Sequence, residues 1–461
     1  MNSYGDILVL GLGRSGEAAA CYSAKLVTAG RAVSVTVCDG ADSADKRVLA
    51  AELRDQGVTV NLGCAEVAGS FDLCIVSPGI PPHAPVMRTA RVCAQRLISE
   101  IEFAFLESDH QWVAVTGTNG KTTTTALVAH LLETGGITAR PVGNIGAPAI
   151  AAVAEAAPDE VFVAEVSSFQ LALTHEFHPT VAVLLNVTPD HLDWHGSLEQ
   201  YAADKMRVFA NLTSEDLAIV DVDDAGAAEA IPGLVAAGVP VARVSLKERH
   251  SLGATAAGGK LSLETRGGVV RLCDAGELQI RGAHNVSNAL AAAAAAHAFG
   301  VSAQDLRAGL ITFSAIEHRL EPVATIEGVE WFNDSKATNP DAVFKAVDAF
   351  SDTPLIVLLG GRNKGNDFGP LARYVAARAR VAVLFGESRV QLAQAFDGLG
   401  IRTVEAASLA DAVGAARALA RPGDCVVLSP ACASFDEFSS YEQRGAVFKA
   451  LVGAMEEAGP R

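Results

Sequence analysis

Long apolar runs are missing from this chain of 461 residues. No stretch approaches the ~18 uninterrupted apolar residues of a membrane-spanning helix, and the Ala-rich segment 289–299 is too short and too weakly hydrophobic to serve. The opening MNSYGDILVLGLG has no basic leader or cleavage site and reads as a first β-strand, so a soluble, cytoplasmic protein is expected. Cysteine is sparse: eight residues, 21, 38, 64, 74, 93, 273, 425 and 432, stand apart without a CxxC pair or His partners at zinc spacing. They read as reduced core thiols. Cations are short too, with 36 Lys and Arg against 53 Asp and Glu, a net charge of −17 that repels nucleic acid and anionic membranes. No repeat of solenoid length is present, and only the last few residues read as disordered.

What is there is a βαβ rhythm. Short runs rich in Val, Ile and Leu recur at 7–10, 33–38, 73–76, 112–116, 161–165, 181–186, 355–359, 381–385 and 425–429, with helical stretches between them. Fully apolar strands predict parallel sheets covered on both faces, with ligands at the carboxyl ends of the strands. Length alone predicts about three domains at ~150 residues each. Gly-bearing motifs after three of the strands suggest three α/β units, and the polar stretch at 106–111 and the end of the helical region near 314–318 divide them as 1–109, 110–315 and 316–461. Residues 215–283 read as a small antiparallel element attached to the middle domain.

The densest motif is Val113-Ala-Val-Thr-Gly-Thr-Asn-Gly-Lys-Thr-Thr-Thr-Thr125. A strand runs into a Gly-rich turn that opens a helix, which cradles phosphate on backbone N–H groups. Gly117, Thr118, Asn119, Gly120, Lys121, Thr122 and Thr123 form the loop; Lys121 neutralises phosphate charge and Thr122 ligates magnesium. The alternative, an ordinary turn with a solvated lysine, does not explain glycine punctuation, Lys-Thr and an apolar helix face together.

Other motifs also follow strands. Gly11-Leu-Gly-Arg-Ser-Gly16 with Asp39 matches a dinucleotide-binding fingerprint, which would predict a dehydrogenase, although any nucleotide diphosphate satisfies it. Ser77-Pro-Gly79 is either a second wall of that crevice or a plain turn. Glu165 ends a buried strand, where a carboxylate beside a phosphate loop holds magnesium or merely caps a helix. Asn186-Val-Thr-Pro-Asp-His-Leu-Asp-Trp-His195 looks like a zinc site, but without thiolates its Asp190, His191 and Asp193 suit magnesium better, with His191 the strongest candidate. His195 reads as a surface residue and Lys205 as a solvated lysine. His284-Asn-Val-Ser-Asn288 offers either helix caps or amides for an adenine edge, and Arg319 either a surface ion pair or a phosphate contact. Asn333-Asp-Ser-Lys-Ala-Thr-Asn339 is expected to bind an anion, and Leu359-Gly-Gly-Arg-Asn-Lys364 and Ser429-Pro-Ala-Cys-Ala-Ser434 supply Lys and Ser groups for a carboxylate.

Taken in order, TGTNGKTT, NIG at 144–146, EVSSFQL, NVTPDHLD, HNVSNAL, EHR, NDSKATN and SPACASFDEF resemble the Mur ligase family over nearly the whole chain. GLGRSG and the last two motifs resemble the branch that adds glutamate. The resemblance implies a Rossmann-like first domain, a central P-loop ATPase-like domain with a mostly parallel sheet and a Rossmann-like last domain. It implies ATP-dependent addition of D-glutamate to UDP-N-acetylmuramoyl-L-alanine through an acyl phosphate, a cytoplasmic step of peptidoglycan synthesis, by a monomer using ATP and Mg2+. The dehydrogenase reading is thereby demoted, and a sister ligase or a folate polyglutamate ligase is the alternative.

By the same resemblance Arg14, Ser15, Asp39 and Gly79 contact the UDP part, with Asn144 and His191 near the sugar. Thr122, Glu165 and His191 surround magnesium, and Asn285, Asn288, Arg319 and Asp334 approach ATP. Lys121, His191 and Lys205 are the implied catalytic set, Lys205 as a carbamate that replaces the solvated-lysine reading. Lys336, Thr338, Lys364, Ser434, Phe435 and Tyr441 line the amino-acid pocket. Two positions and one segment depart from the family: Ala41 stands where some relatives keep a basic residue, Tyr441 replaces a phenylalanine seen in some members, and residues 361–365 vary.

Overall fold

A computed structural model of the chain describes residues 2–314, 316–351 and 353–457. Ala315, at the expected domain boundary, and 458–461, the expected disordered end, lie outside the described residues. The chain divides into two compact units, Met1–Glu277 with Ser287–Thr312, and Leu278–Val286 with Phe313–Arg461.

The first unit holds two sheets. One has five parallel strands in the order β3-β2-β1-β4-β5: β1 Asp6–Leu10, β2 Ser34–Asp39, β3 Thr59–Leu62, β4 Phe71–Val76 and β5 Ala94–Ser99. Its apolar strands work on both faces, since Ile7 and Val9 join one core cluster while Leu8 and Leu10 join another. The strand order reverses between β1 and β4, and the carboxyl ends of that pair carry Gly11 and Ser77.

The other sheet has nine strands in the order β14-β13-β12-β11-β10-β9-β6-β8-β7. They are β6 Trp112–Thr116, β7 Ala139–Gly143, β8 Val161–Glu165, β9 Val181–Leu184, β10 Leu217–Asp221, β11 Val241–Ser245, β12 Gly253–Thr255, β13 Lys260–Thr265 and β14 Gly268–Asp274. The small antiparallel element expected over 215–283 is corrected here. β10, β11 and β12 continue the parallel sheet, and only the β12–β13 and β13–β14 pairs are antiparallel. The sequence misleads because the alternating, Gly-rich pattern of the edge strands bleeds into the short buried strands before them.

The second unit carries six strands in the order β15-β16-β20-β17-β18-β19: β15 Glu321–Ile326, β16 Val329–Asn333, β17 Leu355–Gly360, β18 Val381–Phe385, β19 Arg402–Glu405 and β20 Cys425–Ala431. All pairs but β15–β16 are parallel. Along β17, Leu355, Val357 and Leu359 enter one core cluster and Ile356 and Leu358 the other, as the two-residue period of a strand requires. Each such fully buried side chain contributes about 1.5–3 kcal/mol against exposure, so a helix must cover both faces. What remains available to ligands is the row of loops at the strands' carboxyl ends.

Candidate active site

β6 is buried along its whole length and delivers the chain to Gly117. Two positions later than Thr118, Gly120 takes φ 86°, where a Cβ would lie 2.5 Å from Asn288 Oδ1 and 3.2 Å from Leu185 Cδ1. Only glycine fits both the left-handed turn and the space. The helix Lys121–Thr134 then starts with no side-chain cap from Gly120, and the positive end of a helix favours an anion. Thr122 and Thr123 are buried on that first turn.

The loop is held from below by the run that looked like a metal site. Asn186 accepts from Asn119 N at 2.8 Å and donates to Asn119 O at 3.1 Å, while its own carbonyl accepts from Thr118 N. Thr118 Oγ1 donates to Thr188 O at 3.1 Å and accepts from the Tyr201 hydroxyl at 3.0 Å. Asn186 and Thr188 are therefore scaffolding.

Lys121 Nζ donates to the Gly117 carbonyl at 2.8 Å and to the Thr118 carbonyl at 3.0 Å. Lys205, on the helix Leu198–Met206, reaches the same Gly117 carbonyl at 2.9 Å and lies 4.5 Å from the Tyr201 ring centroid. Its side chain is 1% exposed, so the reading from composition as a solvated lysine is wrong. Burial, and then the neighbouring Lys121 charge, hold its amine well below the usual lysine range.

Glu165 stands beside Val115 in the β6–β8 register, one strand from the loop. Its Oε1 accepts from Asn144 Nδ2 at 2.9 Å, whereas Oε2 is buried without a partner. An orphaned carboxylate oxygen at the edge of a phosphate cradle fits a hard cation. His191 begins the helix Leu192–His195 in the left-handed region, φ 52°, with its imidazole half-exposed and edge-on to Phe169. His195 is buried, correcting its surface assignment. Its Nδ1 lies 2.7 Å from Asp204 and its Nε2 3.0 Å from Ser168 Oγ, and burial lowers its pKa although Asp204 opposes this.

Among the described residues, one group of three ligand-type side chains converges within 4.8 Å, and it is Glu317, His318 and Glu321 rather than Asp190, His191 and Asp193. Lys449 bonds to both of those glutamates, so a cation already neutralises them.

In the crevice of the first sheet, a Cβ on Gly16 would sit 1.9 Å from the Gly11 carbonyl, which is why the motif needs glycine there. Ser77 Oγ donates to that same carbonyl. Arg14 is exposed and donates to the Gly146 carbonyl at 2.8 Å, Ser15 is half-buried, and Gly79 is exposed. Asp39 accepts from Leu12 N, Ala41 N and Lys46 Nζ. Burial opposes its ionisation, but those donors win and its pKa falls. In this structure Asp39 braces the turn and Lys46 pairs with it.

In the second unit the motifs after β16, β17 and β20 meet around Arg444, which is fully buried on the helix Tyr441–Glu457. Arg444 donates to Ser335 Oγ, to Ser335 O at 2.8 Å and to Cys432 O at 3.1 Å. Arg362 and Ala433 exchange backbone hydrogen bonds, tying the loops after β17 and β20 together. Asp334 accepts from Ser429 Oγ at 2.8 Å and from Leu320 N, within electrostatic reach of Arg319, and burial pushes its carboxyl up to about 7. Lys336 Nζ lies 5.1 Å from the Tyr441 ring centroid, Ser434 is buried, and Lys364 and Phe435 are exposed. Thr338 donates its N–H to the Lys336 carbonyl, closing the turn that presents that lysine. Asn285 Nδ2 donates to Arg281 O and Ser287 Oγ donates to Asp221, both from the first turns of the helix Ala283–Ala298.

Family models place the Mur ligase middle domain on residues 115–296 and the Mur ligase glutamate ligase domain on 318–432. The chain belongs to the Mur ligase family. A UDP-N-acetylmuramoylalanine--D-glutamate ligase of Pelotomaculum thermopropionicum is 42% identical over 451 residues, 97% of either chain. One of Acidobacterium capsulatum is 40% identical over 456 residues, covering 97% of this chain and 95% of its own. Among solved structures, MurF from Acinetobacter baumannii matches with a TM-score of 0.61 at 19% identity over 90% of both chains. A pseudomurein peptide ligase type C from Methanothermus fervidus matches with a TM-score of 0.59 at 17% identity, over 98% of this chain and 99% of its own. These structural likenesses concern the fold.

Reading this Mur ligase from sequence missed Arg444, Glu100, Lys46 and Tyr201. None of the four stands in a motif of its own; beside Arg444, Gly445 is required because a Cβ there would stand 2.2 Å from His318 Nδ1.

Proposed function

We propose that this Mur ligase adds D-glutamate to UDP-N-acetylmuramoyl-L-alanine at the expense of ATP, as the cytoplasmic second amino-acid addition of peptidoglycan synthesis. The observation that carries the reading is that relatives 40–42% identical over nearly all of both chains share that one reaction in their names. ATP first phosphorylates the alanyl carboxylate, giving an acyl phosphate and ADP, because a free carboxylate is too poor an electrophile for an amine. The glutamate amine then attacks the acyl carbon, phosphate leaves with the C–O electron pair, and the amine's proton is lost to water.

The loop Gly117–Thr123 grips the triphosphate through backbone N–H groups, and Lys121 offsets charge growing on the transferred phosphoryl oxygens. Thr122, Glu165, His191 and a carbamylated Lys205 are the assigned holders of Mg2+, which supplies Lewis-acid neutralisation of the phosphates. The buried, neutral amine expected of Lys205 is the form that adds to CO2, releasing one proton as the carbamate forms. Asn285, Asn288, Arg319 and Asp334 are assigned to ATP, Arg14, Ser15, Asp39, Gly79 and Asn144 to the UDP substrate. Lys336, Thr338, Lys364, Ser434, Phe435 and Tyr441 are assigned to glutamate. Among the described residues no helix is long and apolar enough to cross a membrane, in keeping with nucleotide-linked substrates. We assign a monomer and division at 109 and 315.

Phosphate release with UDP-N-acetylmuramoyl-L-alanine, ATP and each amino acid tests the reading. D-glutamate should be consumed at least about tenfold faster than L-glutamate; equal rates, or none, would overturn it. Light scattering at assay concentration checks the monomer.

A further inference from the structure

The loop after β7 is closed by its own backbone only at its start, where Val142 bridges Ala147. Gly143 turns at φ 92°, where a Cβ would strike the Glu165 carbonyl at 2.6 Å, and Gly143 N closes the loop on Ala147 O at 3.2 Å. The next element, the five-residue helix Ala149–Val153, begins at Pro148, which has no side chain to cap it. Its first N–H groups would be orphaned in a buried place.

The cap comes from a different sheet. Glu100 opens the helix Glu100–Leu106 after β5, is 1% exposed, and accepts from Ile150 N with Oε1 at 2.7 Å, with Ala149 N–H also bonded to the carboxyl. Its other oxygen is buried without a partner. Burial raises this carboxyl to about 7 despite the two N–H donors. A buried acid is a costly cap, which argues for a task beyond packing. Arg14, from the turn after β1, ties the same loop at the Gly146 carbonyl. Just ahead of both ties in the loop stands Asn144, whose backbone N–H bonds the Glu165 carbonyl at 2.9 Å and whose side chain bonds Glu165 Oε1 at 2.9 Å, leaving Oε2 buried without a partner.

We propose that Glu100 and Arg14 are positioning residues which hold the 143–150 loop so that Asn144 fixes the Glu165 carboxylate in its metal-binding orientation. The inference rests on Glu165 as a magnesium ligand. It goes further by making the first sheet, which meets the UDP substrate, a mechanical support of the metal site: a substrate phosphate drawing Arg14 away from Gly146 changes the tension on Asn144.

The test uses the full-length protein and two readouts besides turnover: hydrogen exchange of the 143–150 amides, and Mn2+ binding in the presence of ADP followed by electron paramagnetic resonance. Glu100→Met and Arg14→Met should speed exchange across the loop and weaken Mn2+ binding about tenfold, the usual size of an outer-shell effect. Glu100→Gln, whose carbonyl still accepts from Ile150 N–H, should return both to within about twofold. Asn144→Ala should weaken Mn2+ as much, and adding Glu100→Met to it should cost nothing further. Should Glu100→Met not fold, Arg14→Met, altered at an exposed position, carries the same prediction. Wild-type Mn2+ affinity in these variants, or additive losses in the double variant, overturns the positioning role. Undiminished Mn2+ binding by Glu165→Gln instead removes the metal assignment, and this inference with it.

Discussion

Lys121 and Lys205 donate to one acceptor, the Gly117 carbonyl, at 2.8 and 2.9 Å. Two ammonium groups that close repel each other, and Lys205 is the more deeply buried, so it is the one whose proton is destabilised. Turning the neutral amine that this favours into a carbamate places an anion beside Lys121 and supplies two oxygens to a cation site. Lys205→Ala should therefore lose at least about 100-fold in kcat, more than an outer-shell loss, and acetate or formate should restore part of it. Full activity of Lys205→Ala without added carboxylate would end the carbamate assignment.

Gly120 faces Asn288 as well as the left-handed turn. Gly120→Ala should destabilise by about 1–2 kcal/mol from backbone strain alone and abolish measurable ADP binding in calorimetry. Pairing it with Asn288→Ala removes the clash but not the strain, so stability should recover only in part. Complete recovery would show that φ 86° carries no cost here.

The strands were legible because β6, β8, β9, β17, β18 and β20 are buried on both faces and so written almost wholly in Val, Ile, Leu and Ala. β3 and β19, at sheet edges, and β7, interrupted by Pro141, carry no such signature. The phosphate loop was legible as well, since glycine spacing and Lys-Thr are local in sequence. Lys205 was legible only through resemblance, because burial at 1% is produced by residues 88 positions away. Arg444, whose acceptors on Ser335 and Cys432 come from two other loops, and Glu100, which caps a helix fifty residues onward, were not legible at all for the same reason.

Arg444 organises the second unit's loops as Asn186 organises the phosphate loop. Arg444→Met keeps apolar bulk but leaves the Ser335 and Cys432 carbonyls buried and unpaired, a loss of about 3 kcal/mol in urea unfolding. Arg444→Lys keeps the charge but not the fork and should lose less. In both, KM for the amino acid should rise more than KM for ATP; an equal rise would mean that Arg444 does not serve the amino-acid loops in particular.

Asp334 gives the chain a pH dependence whose sign can be worked out. Its carboxyl is raised from 3.8 to about 7 by burial, so the folded protein holds that proton more tightly than the unfolded chain. The stabilisation is fully present below pH 3.8, is lost as the pH rises toward about 7, and is flat above that. At 1.36 kcal/mol per unit its full span is on the order of 4 kcal/mol. Asp334→Asn removes this titration while Leu320 N–H and Ser429 can still find partners on the amide. Glu100 titrates in the same window, so the wild type alone would not separate the two. The difference in urea midpoint between wild type and Asp334→Asn, followed from pH 4.5 to 7.5, isolates Asp334. It should shift steadily in the variant's favour as the pH rises, and two parallel curves would mean that the Asp334 carboxyl ionises as an ordinary aspartate.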